Sequence, residues 1–229
     1  IGAETQTLAA GAHFYHSDSR RTDRRGATPD AVDGLLQSTS QREVYYGSVF
    51  AENRFKLGAL SVTPAFRLEN IHQDISVTRP PVGSPLVSAK AKTEVEPLFA
   101  LTTAYELPRH TEVFASVAQS YRPTVFTESV IPSSGSVIQG DVNPTTAWTY
   151  ELGYRGLPTD WFNWDTSLSL TDLDNRFGGT VTTGGQTELR SVGRSLNYGW
   201  DAAAELDVLG LRAALQDQPR ETRTHRLSL

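Results

Sequence analysis

The strictest constraint in this sequence is a two-residue alternation sustained far longer than most strands last. In ALSVTPAFRLE, residues 59 to 69, Leu60, Val62, Pro64, Phe66 and Leu68 fall on one side and Ala59, Ser61, Thr63, Ala65, Arg67 and Glu69 on the other. Such a repeat is the signature of a strand with one apolar and one polar face. Over 94 to 107, Val95, Pro97, Phe99, Leu101, Tyr105 and Leu107 oppose Glu94, Glu96, Thr102 and Glu106. Residues 162 to 171 set Phe162, Trp164, Leu168 and Leu170 against Asn163, Asp165, Ser167, Ser169 and Thr171. Residues 196 to 208 set Leu196, Tyr198, Trp200, Ala202, Ala204, Leu206 and Val208 against Asn197, Asp201, Glu205 and Asp207. Less regular strands are expected over 6–16, 43–55, 111–121 and 147–156, which makes about eight in all.

Strands in soluble domains usually run about five or six residues, whereas a tilted strand crossing a bilayer needs about 9–11. The connections point the same way. Short links are expected at Lys56 to Gly58, Pro108 to His110 and Pro158 to Asp160, and long ones over 17–42, 72–92, 122–146 and 173–195. A soluble sandwich has no reason to sort its loops by length, but an outer-membrane barrel does, with short turns facing the periplasm and long loops facing outside. Aromatic residues fit two interfacial girdles: Phe55, Tyr105, Trp161 and Phe162 near the short turns, Tyr45, Tyr46, Tyr121, Trp148 and Tyr198 nearer the long loops. In NPTTAWTYELGYRG, residues 143 to 156, Trp148, Tyr150, Leu152 and Tyr154 are then expected to face lipid, while Glu151 and Arg155 face a hydrated lumen.

Composition removes several alternatives. With 38% hydrophobic and 21% charged residues the chain is ordinary for an ordered protein, and a formal net charge of −5 gives no basic footprint for nucleic acid. No apolar run approaches the roughly 20 residues that a membrane-crossing helix requires. The chain holds no cysteine, so it has neither a disulfide framework nor a thiolate metal site.

FASVAQSYRPTVFTE (114–128), GDVNPTTAWTYELGYRG (140–156) and VGRSLNYGWDAAAELD (192–207) resemble the C-terminal barrel of TonB-dependent outer-membrane receptors, nearest to the ferric dicitrate and siderophore branch. VYYGSVFAENRFKLGALSVTPAFRLENI (44–71) is similar to an upstream hairpin of the same barrel. The resemblance implies an all-β, antiparallel up-and-down transmembrane barrel segment, about eight strands of a larger ring of 22. It also implies a location in the outer membrane and import of ferric citrate or a siderophore with energy delivered through TonB. TonB would engage a plug-bearing N-terminal part that these residues do not include. Residues 1–210 are expected to be barrel, and 211–229 an irregular tail from truncation or a shifted reading frame, because LRAALQDQPRETRTHRLSL lacks both alternation and the terminal aromatic residue expected in the family. Another outer-membrane barrel, such as a porin or an adhesin translocator, is the alternative.

No catalytic role is expected, since neither a glycine-rich phosphate loop nor a G-x-S-x-G elbow is present. The histidines lack zinc-ligand spacing apart from His13 and His16, which a strand places on opposite faces. DLDNRFGG from Asp172 begins like a calcium loop but has Arg176 and Phe177 where a ligand and the turn glycine belong. No cofactor is expected; iron enters only as a chelated substrate. The candidate ligand-binding residues are Arg20, Arg21, Arg24 and Arg25 in the first long loop, and Tyr121 and Arg122 at the lip of another. Guanidinium forks suit the carboxylates of a ferric citrate complex, and equally the phosphates of lipopolysaccharide.

Overall fold

The computed structural model of the chain describes residues 5–79, 89–124, 136–138, 143–181, 187–191, 193–216 and 226–228. In chain order the elements are β1 (Thr5–Arg25), β2 (Leu35–Leu57), β3 (Leu60–Arg79), β4 (Ala89–Leu107), β5 (Thr111–Arg122), β6 (Ser136–Ile138), β7 (Thr145–Thr159), β8 (Phe162–Asp174), β9 (Phe177–Val181), β10 (Thr187–Ser191), β11 (Ser195–Asp207), α1 (Val208–Leu215) and β12 (Arg226–Ser228). Eight long strands form one antiparallel meander in the order β1-β2-β3-β4-β5-β7-β8-β11, and the short β12 adds beyond β11. A second sheet, β6-β10-β9, is built from the connections β5–β7 and β8–β11.

A meander places successive connections at opposite ends. The tight turns at 58–59, 108–110 and 160–161 therefore share one end, and the longer connections share the other, as the sequence predicts. Left-handed backbone makes two of these turns tight: Gly58 has φ 62°, and Arg109 and His110 have φ 63° and 53°. The strand lengths depart from the sequence reading. β1 runs 21 residues and β2 23, so most of the expected loop over 17–42 is paired strand, and only 26–34 is connection. Likewise β3 continues to Arg79 and β4 starts at Ala89, which shortens the expected loop over 72–92. The expected irregular stretch after Gly210 is also corrected in part. Val208–Leu215 is helical, with Asp207 as N-cap accepting the Gly210 N–H at 3.0 Å, and Val208 leaves the strand pattern for the helix.

Register shows what each face is made of. One row across six strands reads Val62, Thr103, Ala115, Leu152, Leu168 and Trp200, and the next Pro64, Leu101, Val117, Tyr150, Leu170 and Tyr198. On the other face a row reads Thr63, Thr102, Ser116, Glu151, Ser169 and Gly199. The apolar face is the exposed one: Leu152 is 56% exposed, Leu168 60% and Trp200 70%, whereas Ile75, Val77 and Ala147 are the buried apolar residues among those described. A water-soluble sheet buries such a face because each large side chain gains about 1.5–3 kcal/mol on burial. Here the apolar side remains open along the whole sheet, the arrangement of strands whose solvent is hydrocarbon.

Candidate functional site

The polar face carries charge mainly as matched pairs. Near the short turns, Arg155 Nε donates to Glu112 Oε1 at 2.6 Å directly across the β5–β7 ladder, and Lys56 Nζ donates to Glu106 Oε1 at 2.8 Å. Further toward the long connections, Arg67 Nη2 donates to Tyr46 Oη at 2.7 Å and to Ser48 Oγ at 3.3 Å. Tyr46 Oη in turn donates to Glu69 Oε1 at 3.1 Å, and Arg67 Nε lies 2.6 Å from the same oxygen. Period two puts all four side chains on one face, and the β2–β3 register brings Ser48 opposite Glu69.

Beyond this cluster the sheet changes course. The β4–β5 ladder ends at Ala100 and Ala118, while β5 stays paired with β7 as far as Arg122. The Phe99 N–H donates instead to the Gln119 side chain at 3.2 Å. The chain then crosses the polar face, and Thr124 is left only 3% exposed against β3 and β4. Its carbonyl accepts the Gln73 amide at 2.8 Å; its hydroxyl accepts Lys92 Nζ at 2.7 Å and donates to Glu94 Oε1. Lys92 also pairs with Glu94 at 2.8 Å, and Glu94 is 6% exposed. Buried charges need such partners, since an unpaired one costs several kcal/mol.

The sequence-based candidates divide. Arg20, Arg21, Arg24 and Arg25 lie on the upper part of β1 rather than in a loop, paired in register with Gln41, Ser40, Leu36 and Leu35. They do not form one cluster. Arg21 Nε donates to Asp23 Oδ1 at 2.8 Å, and Arg24 Nη1 donates to Asp33 Oδ1 at 3.1 Å and to the Gly34 carbonyl at 3.3 Å. Alternation sets Arg20 on the opposite face from Arg21. Arg122 is exposed at the end of β5. Tyr121, taken from the sequence as a girdle residue as well as a candidate ligand contact, has a buried hydroxyl within electrostatic reach of Glu69, Glu94 and Glu96. Tyr46 also leaves the expected outward girdle, because its hydroxyl is held by Arg67 and Glu69 on the polar face. Asp172, at the start of DLDNRFGG, accepts from Arg194, with Nε to Oδ1 at 2.6 Å. Near the end of β1, beyond its alternating part, burial pushes the Asp23 carboxyl up, but bonds from Arg21 and Ser38 and the charges of Arg21 and Arg42 outweigh this and hold it below the usual range.

Sequence reasoning missed Arg67, Gln73, Lys92, Glu94 and Thr124. Gln73 and Lys92 are ladder partners, so a pairing of 59–69 with 94–107 extended upward would have placed them side by side. Nothing in the sequence signals that Thr124 crosses over them.

The arrangement makes one face of the sheet a polar, hydrogen-bonded wall and leaves the other apolar. A family profile described as TonB dependent receptor-like, beta-barrel matches residues 1–224. Among solved structures the chain is similar to the unliganded ferric citrate transporter FecA, at 18% identity and TM-score 0.69, covering 94% of this chain and 31% of that one. It is also similar to the ferric-catecholate import receptor Fiu from K12 E. coli, at 17% identity and TM-score 0.66, covering 89% and 33%. The ferric yersiniabactin uptake receptor FyuA from Yersinia pestis is 17% identical with TM-score 0.67, covering 90% and 30%. The chain thus spans about a third of the length of these structures. A comparison with curated protein sequences returns no match. Barrels of this kind belong to transporters rather than enzymes. The match over nearly the whole chain, and the up-and-down sheet it describes, place this chain in the TonB-dependent receptor-like β-barrel family.

Proposed function

We propose that the chain forms part of the wall of an outer-membrane receptor that imports ferric chelates, ferric citrate or a siderophore, by active transport powered through TonB. The observation that carries this reading is the segregation of faces: exposed apolar rows outside, and on the inner face Arg67, Glu69, Lys92 and Glu94 held in defined pairs toward the long connections. That interior offers both donors and acceptors to a hydroxyl- and carboxylate-rich chelate, and iron stays wrapped in its chelator rather than bound by protein side chains. Arg20 and Arg25 contribute to anion capture at the mouth, with Arg21, Arg24, Tyr121 and Arg122 behind them. Each exposed charge is weak alone, so steering by the sum matters most. Lipid and lipopolysaccharide surround the wall, and TonB contacts a part of the receptor outside these residues.

The test is uptake of radiolabelled ferric citrate, and of catecholate and hydroxamate siderophores, by cells carrying the full-length receptor. Arg20, Arg21, Arg24 and Arg25 are all changed to Gln in a second strain. Uptake that needs TonB and slows in the variant at low chelate and low salt supports the reading. Uptake of no ferric chelate under iron limitation overturns it.

A further inference from the structure

Thr124 reaches the polar face at a break in the sheet. The β4–β5 ladder stops at Ala100 and Ala118, although β5 runs on to Arg122 beside β7. The Phe99 N–H points into this break and is capped by the Gln119 side chain at 3.2 Å. Backbone groups alternate sides along a strand, so position 97 faces the same way, and Pro97 has no N–H to offer. Proline is tolerated on a strand only where no neighbour needs its donor, so the break belongs to the design of β4.

The wall beside the break reads, in successive ladder pairs of the polar face, Gln73 with Lys92, Ile71 with Glu94, and Glu69 with Glu96. Thr124 spans the first two pairs. Its carbonyl accepts from the Gln73 amide at 2.8 Å, and its hydroxyl accepts from Lys92 Nζ at 2.7 Å while donating to Glu94 Oε1. The match is incomplete. Glu94 Oε2 and the Tyr121 hydroxyl are buried with no hydrogen-bond partner among the described residues, and Tyr121 stands within electrostatic reach of Glu69, Glu94 and Glu96. A buried polar atom without a partner costs free energy that this arrangement does not recover, so Thr124 is held by contacts that a better-matched group can replace.

We propose that Thr124 is an internal stand-in for a ligand group: it fills a subsite for a neutral carbonyl with a neighbouring hydroxyl, and a seryl or threonyl unit of a peptide siderophore displaces it. Such a unit repeats the carbonyl and hydroxyl that Gln73, Lys92 and Glu94 already hold, and its amide N–H supplies the donor that Glu94 Oε2 lacks. A carboxylate does not fit, because Glu94 lines the subsite and Glu69 and Glu96 face each other in the next row. The inference rests on the ferric-chelate reading proposed above and, within it, selects a peptide siderophore over ferric citrate. Since ligand and Thr124 compete, the apparent affinity is lowered by the fraction of molecules in which Thr124 is seated.

The test uses the full-length receptor in detergent and three probes: ferrichrysin, a cyclic peptide siderophore with seryl residues; ferrichrome, which carries glycine in their place; and ferric citrate. Binding is read by tryptophan fluorescence, with heat-shift electrophoresis to confirm that each variant is folded. The wild type should bind ferrichrysin more tightly than either other probe. Thr124→Val, which keeps the shape and loses the hydroxyl, should bind ferrichrysin about tenfold more tightly, the gain expected where about nine molecules in ten have Thr124 seated. Lys92→Gln should bind it more weakly. In the wild type, hydrogen exchange of the peptide bearing Thr124 should quicken when ferrichrysin saturates the receptor, which reads displacement without any substitution. No preference for ferrichrysin over ferrichrome overturns the inference, as does unchanged or weaker binding by folded Thr124→Val, or exchange that ferrichrysin leaves unaltered. Uptake of ferric citrate alone also overturns it while the ferric-chelate reading stands, whereas uptake of no ferric chelate overturns that reading itself.

Discussion

Gln73 and Thr124 meet on the polar side of the sheet, where the Gln73 amide donates to the Thr124 carbonyl at 2.8 Å. That carbonyl lies just past the end of β5, outside any ladder, so a side chain from β3 supplies the bond that a neighbouring strand does not. Gln73→Leu leaves a buried carbonyl unsatisfied and should lower the unfolding free energy of the full-length receptor by about 1–3 kcal/mol. Urea denaturation in detergent, followed by tryptophan fluorescence, measures it. An unchanged midpoint would show that the contact carries no stability.

The two faces should respond oppositely to charge. Phe66 and Phe99 are ladder partners on the apolar face, with ring centroids 5.3 Å apart. Lysine at Phe66 should cost about 2–4 kcal/mol if that face lies at the bilayer midplane. Thr102, on the polar face, should accept lysine with little effect. Folding into lipid vesicles across a denaturant series distinguishes them, and equal penalties would contradict the assignment of faces.

Asp23 sets a pH dependence with a definite sign. Its carboxyl is held below the ordinary range in the folded protein, so its contribution is fully present above the unfolded pKa of about 3.9 and is lost as pH falls through the lower folded value. The side chain is 41% exposed, which keeps the effect small. Limited proteolysis at 26–34 should therefore accelerate on acidification below pH of about 4 in the wild type. Asp23→Asn should be cleaved at one rate throughout, and a parallel acceleration in the variant would assign the effect elsewhere.

Arg24 and Arg20 should separate structure from capture. Arg24 bridges Asp33 and the Gly34 carbonyl, so Arg24→Gln should loosen the β1–β2 connection and slow chelate association less than Arg20→Gln does. Arg20→Gln should slow association at low salt and lose its effect as screening shortens the field to about 8 Å at physiological ionic strength. Stopped-flow binding across a salt series reads both. The same salt slope for both variants would mean that position on β1 does not matter.

Much of this fold is legible in the sequence because lipid enforces the alternation. Over 60–69, 94–107 and 162–171 every second residue is apolar except Thr103 and Thr166, and β3, β4 and β8 contain those spans on the expected faces. The reading stops at residue 16 and resumes at 43 for a physical reason. Ser17–Arg25 and Ser38–Arg42 carry polar residues on both sides although the ladder continues, so no apolar face is left there for the sequence to show. His13 and His16 illustrate the part that survives: their rings contact Tyr46 and Tyr45, adjacent residues that point to opposite faces. The interior cluster was illegible because its decisive contact joins Thr124 to Gln73, Lys92 and Glu94 through a chain reversal that no periodicity encodes.

The second sheet joins what the main meander keeps apart. β6 lies in the connection after β5, and it runs parallel to β10, which lies in the connection after β8, with Ser136, Val137 and Ile138 matched to Thr187, Glu188 and Leu189. β9 completes the sheet from the same connection as β10. The two connections are therefore coupled, because a change within Ser136–Ile138 or Thr187–Leu189 alters a pairing that the other supplies. Inheritance of these two segments as one cassette follows, and chimaeras that exchange both together should assemble where single exchanges fail.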